Sequence, residues 1–289
     1  MITGLRRSLL YVPGDHAGMI GKSLTLTADV LVLNLEDGVA ASAKDEARAN
    51  IVNALQSLDF GKREVLVRIN SLASETGRRD LLALVPCRPD GICLPKIEGA
   101  GAIEAADQIV SRLESENGIP EGSIRIHAMI ESAAGALSAA GIACASRRMA
   151  SLVFGSADYT KDLQCHPGED RAELWLALQM IVTAARAGGI DAVDAPCFAF
   201  RNTELLRREG AQARRLGYEG KSAIHPGQIE IINSIFDVTA AEVAWAESVL
   251  AELHEAEGRG KALTTLEGRL IENPHRTAAE RILRRRREH

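Results

Sequence analysis

Eight short apolar runs, separated by longer segments with helical spacing, constrain this chain more than any other feature. The runs are continuous rather than alternating, which is typical of parallel strands that are buried on both faces. They cover residues 8–13, 30–37, 64–70, 91–98, 124–132, 149–158, 192–198 and 221–226. Eight β units that alternate with α units predict an α/β protein with a (β/α)8 TIM barrel rather than an open sheet.

The segments between and after these runs predict helices and a second region. Residues 42–57 and 101–116 are predicted to be helices, and the long amphipathic segments 169–186 and 204–216 are each closed by a glycine, as a helix often is. The eighth run is followed by predicted helices over 228–236 and 240–257, a glycine-rich break at 258–260, and a basic helix from about Thr277. We therefore predict a barrel over residues 1–237 and a C-terminal helical arm or lid over residues 238–289.

Composition excludes several classes of protein. The 34 Lys and Arg residues against 39 Asp and Glu give a net charge of −5, which argues against nucleic-acid binding driven by bulk charge. Aromatic residues make up only 3%, so the core must be aliphatic. The five Cys form no CxxC pair, which argues against a structural zinc site or a disulfide framework. No stretch approaches the length of a membrane span or of a signal core, so we expect a cytoplasmic protein.

Charged residues stand where five successive apolar runs stop. They are Glu36 and Asp37, Arg68, Lys96, Glu131, and Asp158. Because the carboxyl ends of barrel strands converge on one face, these groups are expected to share a site. Carboxylates that converge with an Arg and a Lys predict an oxygen-ligand site for Mg²⁺ or Mn²⁺ that holds an anionic substrate.

Within that set we assign separate roles. Glu131 and Asp158 are the best candidates for metal ligands, since each is a lone carboxylate at the mouth of an apolar run with small neighbours. Arg68 can hold a substrate carboxylate with two parallel hydrogen bonds. The alternative for Arg68 is an ion pair with Glu36 or Asp37 that ties two strands together, and one residue can do both.

An ordered set of motifs resembles a known family. The motifs are Arg7-Ser-Leu-Leu-Tyr-Val-Pro-Gly14, Leu35-Glu-Asp-Gly-Val39, Val67-Arg-Ile-Asn70, Leu94-Pro-Lys-Ile-Glu98, Met129-Ile-Glu-Ser132, Phe154-Gly-Ser-Ala-Asp-Tyr159 and Gly220-Lys-Ser-Ala-Ile-His-Pro226. Together they resemble the HpcH/HpaI aldolase/citrate lyase family, which includes citrate lyase beta subunits and the malyl-CoA and citramalyl-CoA lyases. The resemblance runs from about residue 5 to 275, and it implies TIM barrels that assemble as trimers or higher homo-oligomers.

The resemblance also implies roles for individual residues. Glu131 and Asp158 would bind Mg²⁺, and Arg68 would hold the carboxylate or carbonyl of the keto-acid half of the substrate. Glu36 and Asp37 would orient Arg68 and a metal-bound water.

Three further residues receive roles only from the resemblance. Arg7 and Lys22 fall where relatives meet the phosphates or adenine of coenzyme A. Glu272 stands where the family normally has an Asp that reaches a neighbouring subunit's site as the acid/base. Its side chain is one methylene longer than that Asp.

The expected activity is Mg²⁺-dependent cleavage of a β-hydroxyacyl thioester of the malyl-, citramalyl- or citryl-CoA type to an acetyl thioester and a keto acid. Coenzyme A would be part of the substrate. One alternative keeps the fold and metal but uses a citryl thioester on an acyl carrier protein, or runs a malate-synthase-like condensation. An alternative of another class, motivated by the Glu at position 272, is a catalytically inert subunit that binds acyl-CoA.

Overall fold

The computed structural model describes residues 5–287, and within them eight parallel strands close into a barrel. The strands, β1 to β8, are Ser8–Pro13, Val30–Asn34, Glu64–Arg68, Gly91–Leu94, Arg125–Ile130, Met149–Phe154, Asp191–Asp194 and Gly220–Ala223. Each strand pairs with its neighbours in chain order, and β1 closes the ring by pairing with β8, where Leu9 lies opposite Ser222. The predicted (β/α)8 barrel is therefore confirmed.

Helices follow the barrel strands in chain order and continue after the eighth. The α-helices, α1 to α11, are Ala17–Ser23, Lys44–Ser57, Glu75–Leu84, Ala100–Glu116, Ala133–Ala143, Ser156–Asp162, Trp175–Gly188, Thr203–Leu216, Ile229–Phe236, Ala240–Gly258 and Asn273–Arg287. Some begin at a side-chain cap: the hydroxyl of Ser132 accepts a hydrogen bond from the Gly135 N–H and so satisfies an N–H at the start of α5. In the described part of the chain, no helix is long and apolar enough to cross a membrane.

Side chains alternate between the inside and the outside of the barrel along each strand. The middle of the barrel interior is filled by a compact apolar cluster of Leu9, Val30, Val32, Leu66, Cys93, Met129, Val153 and Val193. The outward side chains pack under the helices in a larger core that is built mostly from Ile, Leu, Val and Ala. The low aromatic content thus gives an aliphatic core, as expected, and the packed interior leaves space for chemistry only at the ends of the strands.

The first predicted strand agrees with β1, but the other seven extend too far at their carboxyl ends. β2 ends at Asn34 rather than at residue 37, and β6 ends at Phe154 rather than at residue 158. The chain leaves the sheet early at these points because the following residues form the turns that present polar groups. The α-helix predicted over 169–186 begins only at Trp175, because Arg171 is left-handed (φ 59°) and the next residues, Ala172–Leu174, form a 3-10 helix.

Residues 237–287 form a second compact unit, and the barrel unit ends at Phe236. α10 begins with a capping box in which Thr239 and Glu242 exchange hydrogen bonds. A hairpin of β9 (Thr264–Leu266) and β10 (Arg269–Ile271), which the sequence analysis did not predict, stands between α10 and α11. These elements share an apolar core of Ala246, Val249, Leu253, Ile271 and Ala279.

The last helix begins earlier than predicted, and the two tryptophans lie in different units. α11 begins at Asn273, about one turn earlier than the predicted start at Thr277. The chain contains two Trp, of which Trp175 belongs to the barrel unit and Trp245 to the C-terminal unit. Each unit therefore has one tryptophan of its own.

Candidate active site

The turn that follows β2 presents two carboxylates at the carboxyl end of the barrel. The Asn34 side chain holds this turn by accepting a hydrogen bond from the Glu36 N–H (3.2 Å) and donating one to the carbonyl of Asp37. Lys44 also stabilises the turn, because its ammonium donates hydrogen bonds to the carbonyls of Leu35 (2.6 Å) and Glu36 (2.7 Å). The turn is thus fixed by side chains before any ligand binds, and it buries Glu36 while leaving Asp37 at the surface.

Arg68 ends β3 and connects these carboxylates to the next part of the site. Its Nη2 lies 2.6 Å from Glu36 Oε2, 3.7 Å from Asp37 Oδ2 and 3.9 Å from Glu131 Oε2. The guanidinium also lies over the ring of Tyr11, with 5.9 Å from Cζ to the ring centroid, which favours a cation. Arg68 Nε is buried and has no hydrogen-bond partner within the described residues, so the guanidinium is only partly satisfied by the protein.

Glu131 follows β5 and is almost completely buried. Its Oε1 accepts a hydrogen bond from the Lys96 N–H at 2.7 Å. Burial raises the pKa of Glu131 to about 6, although Arg68 and the Lys96 N–H act in the opposite direction. Gly155 makes room for this carboxylate, since a Cβ at position 155 would lie 2.5 Å from Glu131 Oε2. The site therefore contains a buried carboxylate that a bound cation would keep ionised.

Lys96 lies two residues beyond β4 and contacts the same carboxylates. Its Nζ is 2.8 Å from Glu36 Oε1 and 3.6 Å from Asp37 Oδ2. Burial raises the pKa of Asp37, but hydrogen bonding with Glu36 and the charges of Lys96 and Arg68 outweigh it and hold that pKa below its usual value. Asp37 is therefore ionised at neutral pH.

Asp158 lies in the first turn of α6, not at the end of a strand as the sequence suggested. It nonetheless lines the same cavity as Glu131, because β6 ends at Phe154 and the chain turns directly into α6. The cavity has a volume of about 310 Å³. It is lined by Tyr11, Asn34, Asp37, Gly38, Arg68, Met129, Glu131, Phe154, Gly155, Ser156, Ala157, Asp158, Pro196, Phe198, Ser222 and Ile224. The lining thus combines ionic side chains with apolar ones.

The donor set fits a hard divalent cation. Two cations, Arg68 and Lys96, face four carboxylates, so negative charge is in excess in this cluster. Within residues 5–287 no three His, Cys, Asp or Glu side chains cluster as a complete metal site. A site with two carboxylates and an open cavity suits Mg²⁺, which usually keeps waters and takes its remaining ligands from the substrate.

The structure does not bring the two residues expected to meet coenzyme A to this cavity. Arg7 precedes β1, at the opposite end of the barrel, and its guanidinium pairs with Asp29 at 2.8 and 2.9 Å. Its peptide N–H donates to the same carboxylate. Lys22 is exposed in α1 and does not line the cavity. The geometry of Arg7 is that of a structural ion pair.

Glu272 belongs to the C-terminal unit, between β10 and α11. Its side chain is exposed, its N–H donates to His275 Nδ1 at 3.2 Å, and its carbonyl accepts from the His275 N–H at 2.9 Å. These bonds fix the backbone at the start of α11 and leave the carboxylate in solvent.

Sequence reasoning missed two contributors to the site, Tyr11 and Gly155, and the backbone contact of Lys96, whose side chain it had placed there. Tyr11 provides the surface on which Arg68 lies, Gly155 provides space beside Glu131, and Lys96 acts through its backbone as well as its ammonium. Tyr11 and Gly155 stand inside the quoted motifs, but nothing in their types indicates a contact with a residue far away in the chain. Only the folded backbone shows these contacts.

Comparison with known proteins gives consistent matches over the whole chain. Residues 7–226 match the family described as HpcH/HpaI aldolase/citrate lyase. Residues 176–289 match a family described as a C–C bond lyase of the TIM-barrel fold. The two matched ranges together include every residue of the cluster described above.

Individual relatives cover nearly the full length. The chain is 36% identical over 280 residues to citrate lyase subunit beta of Leuconostoc mesenteroides subsp. cremoris, covering 97% of this chain and 93% of that protein. It is 36% identical over 277 residues to the (3S)-malyl-CoA thioesterase of Cereibacter sphaeroides, covering 96% and 93%. A solved structure of CitE from Mycobacterium tuberculosis with magnesium, acetoacetate and coenzyme A matches with a TM-score of 0.79, 29% identity and 99% coverage of both chains.

Proposed function

Because the chain belongs to the HpcH/HpaI aldolase/citrate lyase family, a family of carbon–carbon lyases, we propose that it cleaves a β-hydroxyacyl thioester in a Mg²⁺-dependent reaction. The products are an acetyl thioester and a keto acid, and the substrate is of the malyl-, citramalyl- or citryl-CoA type. The observation that supports this proposal best is that Arg68, Glu131 and Asp158 line one cavity at the carboxyl end of the barrel.

Glu131 and Asp158 are the proposed metal ligands. The excess of carboxylates in the cluster supports this assignment, as does the magnesium named in the CitE complex. A bound Mg²⁺ supplies Lewis acidity and a template for substrate oxygens. The chain itself contributes the orientation of the ligands, because the Lys96 N–H holds one oxygen of Glu131 and Gly155 leaves space for the other.

Arg68 is the proposed partner of the keto-acid half of the substrate. Its guanidinium forms an ion pair with Glu36 and lies over the ring of Tyr11. It therefore presents a fixed positive charge to the cavity. A preorganised positive charge stabilises the β-hydroxyl oxygen of this half as it loses its proton and gains negative charge. Glu36 does not line the cavity, so its role is to position Arg68, whereas Asp37 does line it.

The reaction needs two proton transfers. The β-hydroxyl loses its proton to a base, and the electron pair of the breaking carbon–carbon bond moves into the thioester, whose α-carbon then takes a proton. We assign the first role to Asp37, which is ionised at the rim of the cavity. We assign the second to Glu272 of a neighbouring subunit, as the resemblance implies. Comparison of Glu272→Gln with Glu272→Asp tests this assignment, since only the Asp variant can still transfer a proton.

We propose that the protein is cytoplasmic. We also propose that it assembles as a homotrimer or a higher homo-oligomer, as the resemblance to the family implies. Light scattering of the purified chain measures the oligomer directly.

The test is product analysis with malyl-CoA, citramalyl-CoA and citryl-CoA in parallel, each with Mg²⁺ and with EDTA. We expect Mg²⁺-dependent release of acetyl-CoA and a keto acid from one of the three. Chromatography must separate acetyl-CoA from free CoA, because one relative is named a thioesterase, and hydrolysis releases free CoA instead. Mg²⁺ binding without any product from these substrates would contradict the proposal for CoA esters.

A second candidate is supported by the relatives named citrate lyase subunit beta. In this case the acyl group is carried by an acyl carrier protein, and the same cavity performs the same cleavage. Activity on a citryl carrier protein but not on citryl-CoA distinguishes it. Tight binding of all these thioesters without turnover would instead identify the inert binding subunit.

A further inference from the structure

The backbone of Lys96 adopts a conformation that its residue type disfavours. Its φ is +54°, in the left-handed region, which non-glycine residues seldom occupy. Such outliers persist where the surrounding structure holds them, and they are concentrated at functional sites. Lys96 is two residues beyond β4, at the end of the barrel that carries the cavity.

This conformation has a direct structural consequence. The Lys96 N–H points at Glu131 and donates to its Oε1 at 2.7 Å. Glu131 is buried, so the direction of its carboxylate depends on the few groups that contact it. On the opposite side Gly155 leaves room for Oε2, and Arg68 Nη2 is 3.9 Å from that oxygen. The hydrogen bond from the Lys96 N–H thus holds Oε1 and leaves Oε2 on the side of Arg68.

The ammonium of the same residue holds a second carboxylate. Its Nζ lies 2.8 Å from Glu36 Oε1, while Glu36 Oε2 is 2.6 Å from Arg68 Nη2. Glu36 is therefore shared between the two cations. Lys96 does not itself line the cavity, so its influence passes through Glu131 and Glu36.

We infer that Lys96 is a positioning residue whose left-handed backbone aims its N–H at Glu131 and thereby sets the metal affinity of the site, while its ammonium fixes Glu36 behind Arg68. This inference rests on the proposed function, because it takes Glu131 as a metal ligand. Neither the ammonium nor the backbone of Lys96 contacts the substrate in this scheme.

Two substitutions separate the backbone from the ammonium. Lys96→Gly and Lys96→Val both remove the ammonium, but only glycine accepts a positive φ without strain, and a β-branched residue resists it. A change in metal affinity or kcat between the parent and Lys96→Gly thus measures the effect of losing the ammonium. A change between Lys96→Gly and Lys96→Val measures the effect of the backbone conformation.

The chain offers a matched control at the other end of the same strand. Arg88 precedes β4, is exposed, and has a φ of +56°. Arg88→Gly and Arg88→Val therefore make the same change in backbone preference far from the cavity. Both are expected to bind metal and to turn over substrate as the parent does.

The probe is Mn²⁺, titrated into the purified chain while the free ion is followed by electron paramagnetic resonance. We expect the dissociation constant of Lys96→Gly to stay within about threefold of the parent and that of Lys96→Val to rise about tenfold or more. We expect kcat to fall about tenfold in Lys96→Gly because Glu36, the partner of Arg68, loses the ammonium that holds its other oxygen. Lys96→Ala, which tolerates positive φ better than Val, should be intermediate, and it replaces Lys96→Val if that variant does not fold.

The outcomes are distinct for the two proposals. Equal Mn²⁺ affinity in the glycine and valine variants, or in the glycine and alanine variants, would overturn the positioning role while leaving the proposed function intact. A similar loss of affinity in Arg88→Val would also overturn it, because the effect would then be general destabilisation. Failure of the parent chain to bind Mn²⁺ would overturn both proposals.

Discussion

The two ends of the barrel use the same kinds of side chain in opposite ways. At the amino end, Arg6 bridges Glu64 and Asp191, with Nε and Nη1 each 2.6 Å from a carboxylate oxygen. His127 lies beside Glu64, with 3.7 Å from Nε2 to Oε1, and its Nδ1 shares a 2.8 Å hydrogen bond with Ser151. Arg125 also acts on Glu64, so two guanidinium groups face the two carboxylates at this end of the barrel.

At the carboxyl end the charges do not balance. Four carboxylates share Arg68 and Lys96 around an open cavity, and Arg68 Nε has no protein partner within the described residues. Burial without full pairing destabilises a fold, so such an arrangement is useful only if a ligand completes it. The difference teaches that ion pairs at the amino end hold the barrel together, whereas those at the carboxyl end hold groups ready for a ligand.

The largest expected effect is on activity at the carboxyl end. Glu131→Gln keeps the shape of the side chain and removes its charge, so thioester cleavage should fall roughly 1,000-fold. The free energy of unfolding should not fall, because a carboxylate whose pKa burial raises to about 6 has been replaced by a neutral amide. Steady-state kinetics and urea denaturation of the same preparation give both values. Activity within tenfold of the parent would contradict the metal assignment.

The converse substitution at the amino end should affect stability instead. Arg6→Met leaves Glu64 and Asp191 without their shared cation and should lower the free energy of unfolding by about 3 kcal/mol. The folded fraction should keep its kcat, since the change is at the far end of the barrel. Arg79→Met is the control, because Arg79 forms an exposed pair with Glu75 that should contribute less than about 1 kcal/mol. A selective loss of kcat in Arg6→Met would remove the distinction between the ends.

Mg²⁺ should stabilise only a chain with an intact carboxyl end. At about 100 times its Kd, Mg²⁺ should raise the free energy of unfolding by about 2.7 kcal/mol. This gain should be absent from Glu131→Gln and present in Arg6→Met. Thermal melts in Mg²⁺ and in EDTA measure it, and equal gains in all three chains would mean that the ion binds elsewhere.

The smallest expected effect is a pH dependence that arises at the amino end. Burial lowers the pKa of His127 to about 3, and the charges of Arg6 and Arg125 add to this, while Glu64 opposes it. As the pH falls, the unfolded chain binds a proton at His127 that the folded chain does not bind. The stability is therefore full above the ordinary histidine pKa of 6.5 and falls as the pH drops towards 3. Between pH 6.5 and 5.5 the loss should be about 1 kcal/mol.

The matched variant for this prediction is His127→Asn, which should lack that part of the pH dependence. Urea denaturation at the two pH values measures it in both chains. If the free energy of unfolding changes equally with pH in His127→Asn and in the parent, the pH dependence arises from other groups.

The grouping of the site residues at the carboxyl end of the barrel could be anticipated from the sequence, because it follows from the geometry of the fold. Parallel barrel strands place their carboxyl ends on one face, so Arg68, Glu131 and Asp158 could be expected to meet without knowledge of any distance. The features that could not be anticipated are those that depend on how closely two segments, distant in the sequence, approach each other in the fold. The space that Gly155 leaves for Glu131 and the left-handed backbone of Lys96 are of this kind.

Arg7 illustrates the same limit from the other side. Its position in a family motif suggested a ligand contact, but its partner Asp29 is set by the start of β2, which only the structure shows. The amino end of the barrel was also not anticipated, because Glu64 and Asp191 look like ordinary polar residues at the start of apolar runs. Charge pairing between strands leaves no local sequence pattern.

The division of the chain into two units, each with one tryptophan, provides an optical label for each unit. Trp175 begins α7 and Trp245 lies in α10, and both indole rings are partly exposed. Trp175→Phe and Trp245→Phe therefore leave chains whose fluorescence reports a single unit. Different denaturation midpoints for these two chains would show that the barrel and the C-terminal unit melt independently, and a common midpoint would show that they melt together.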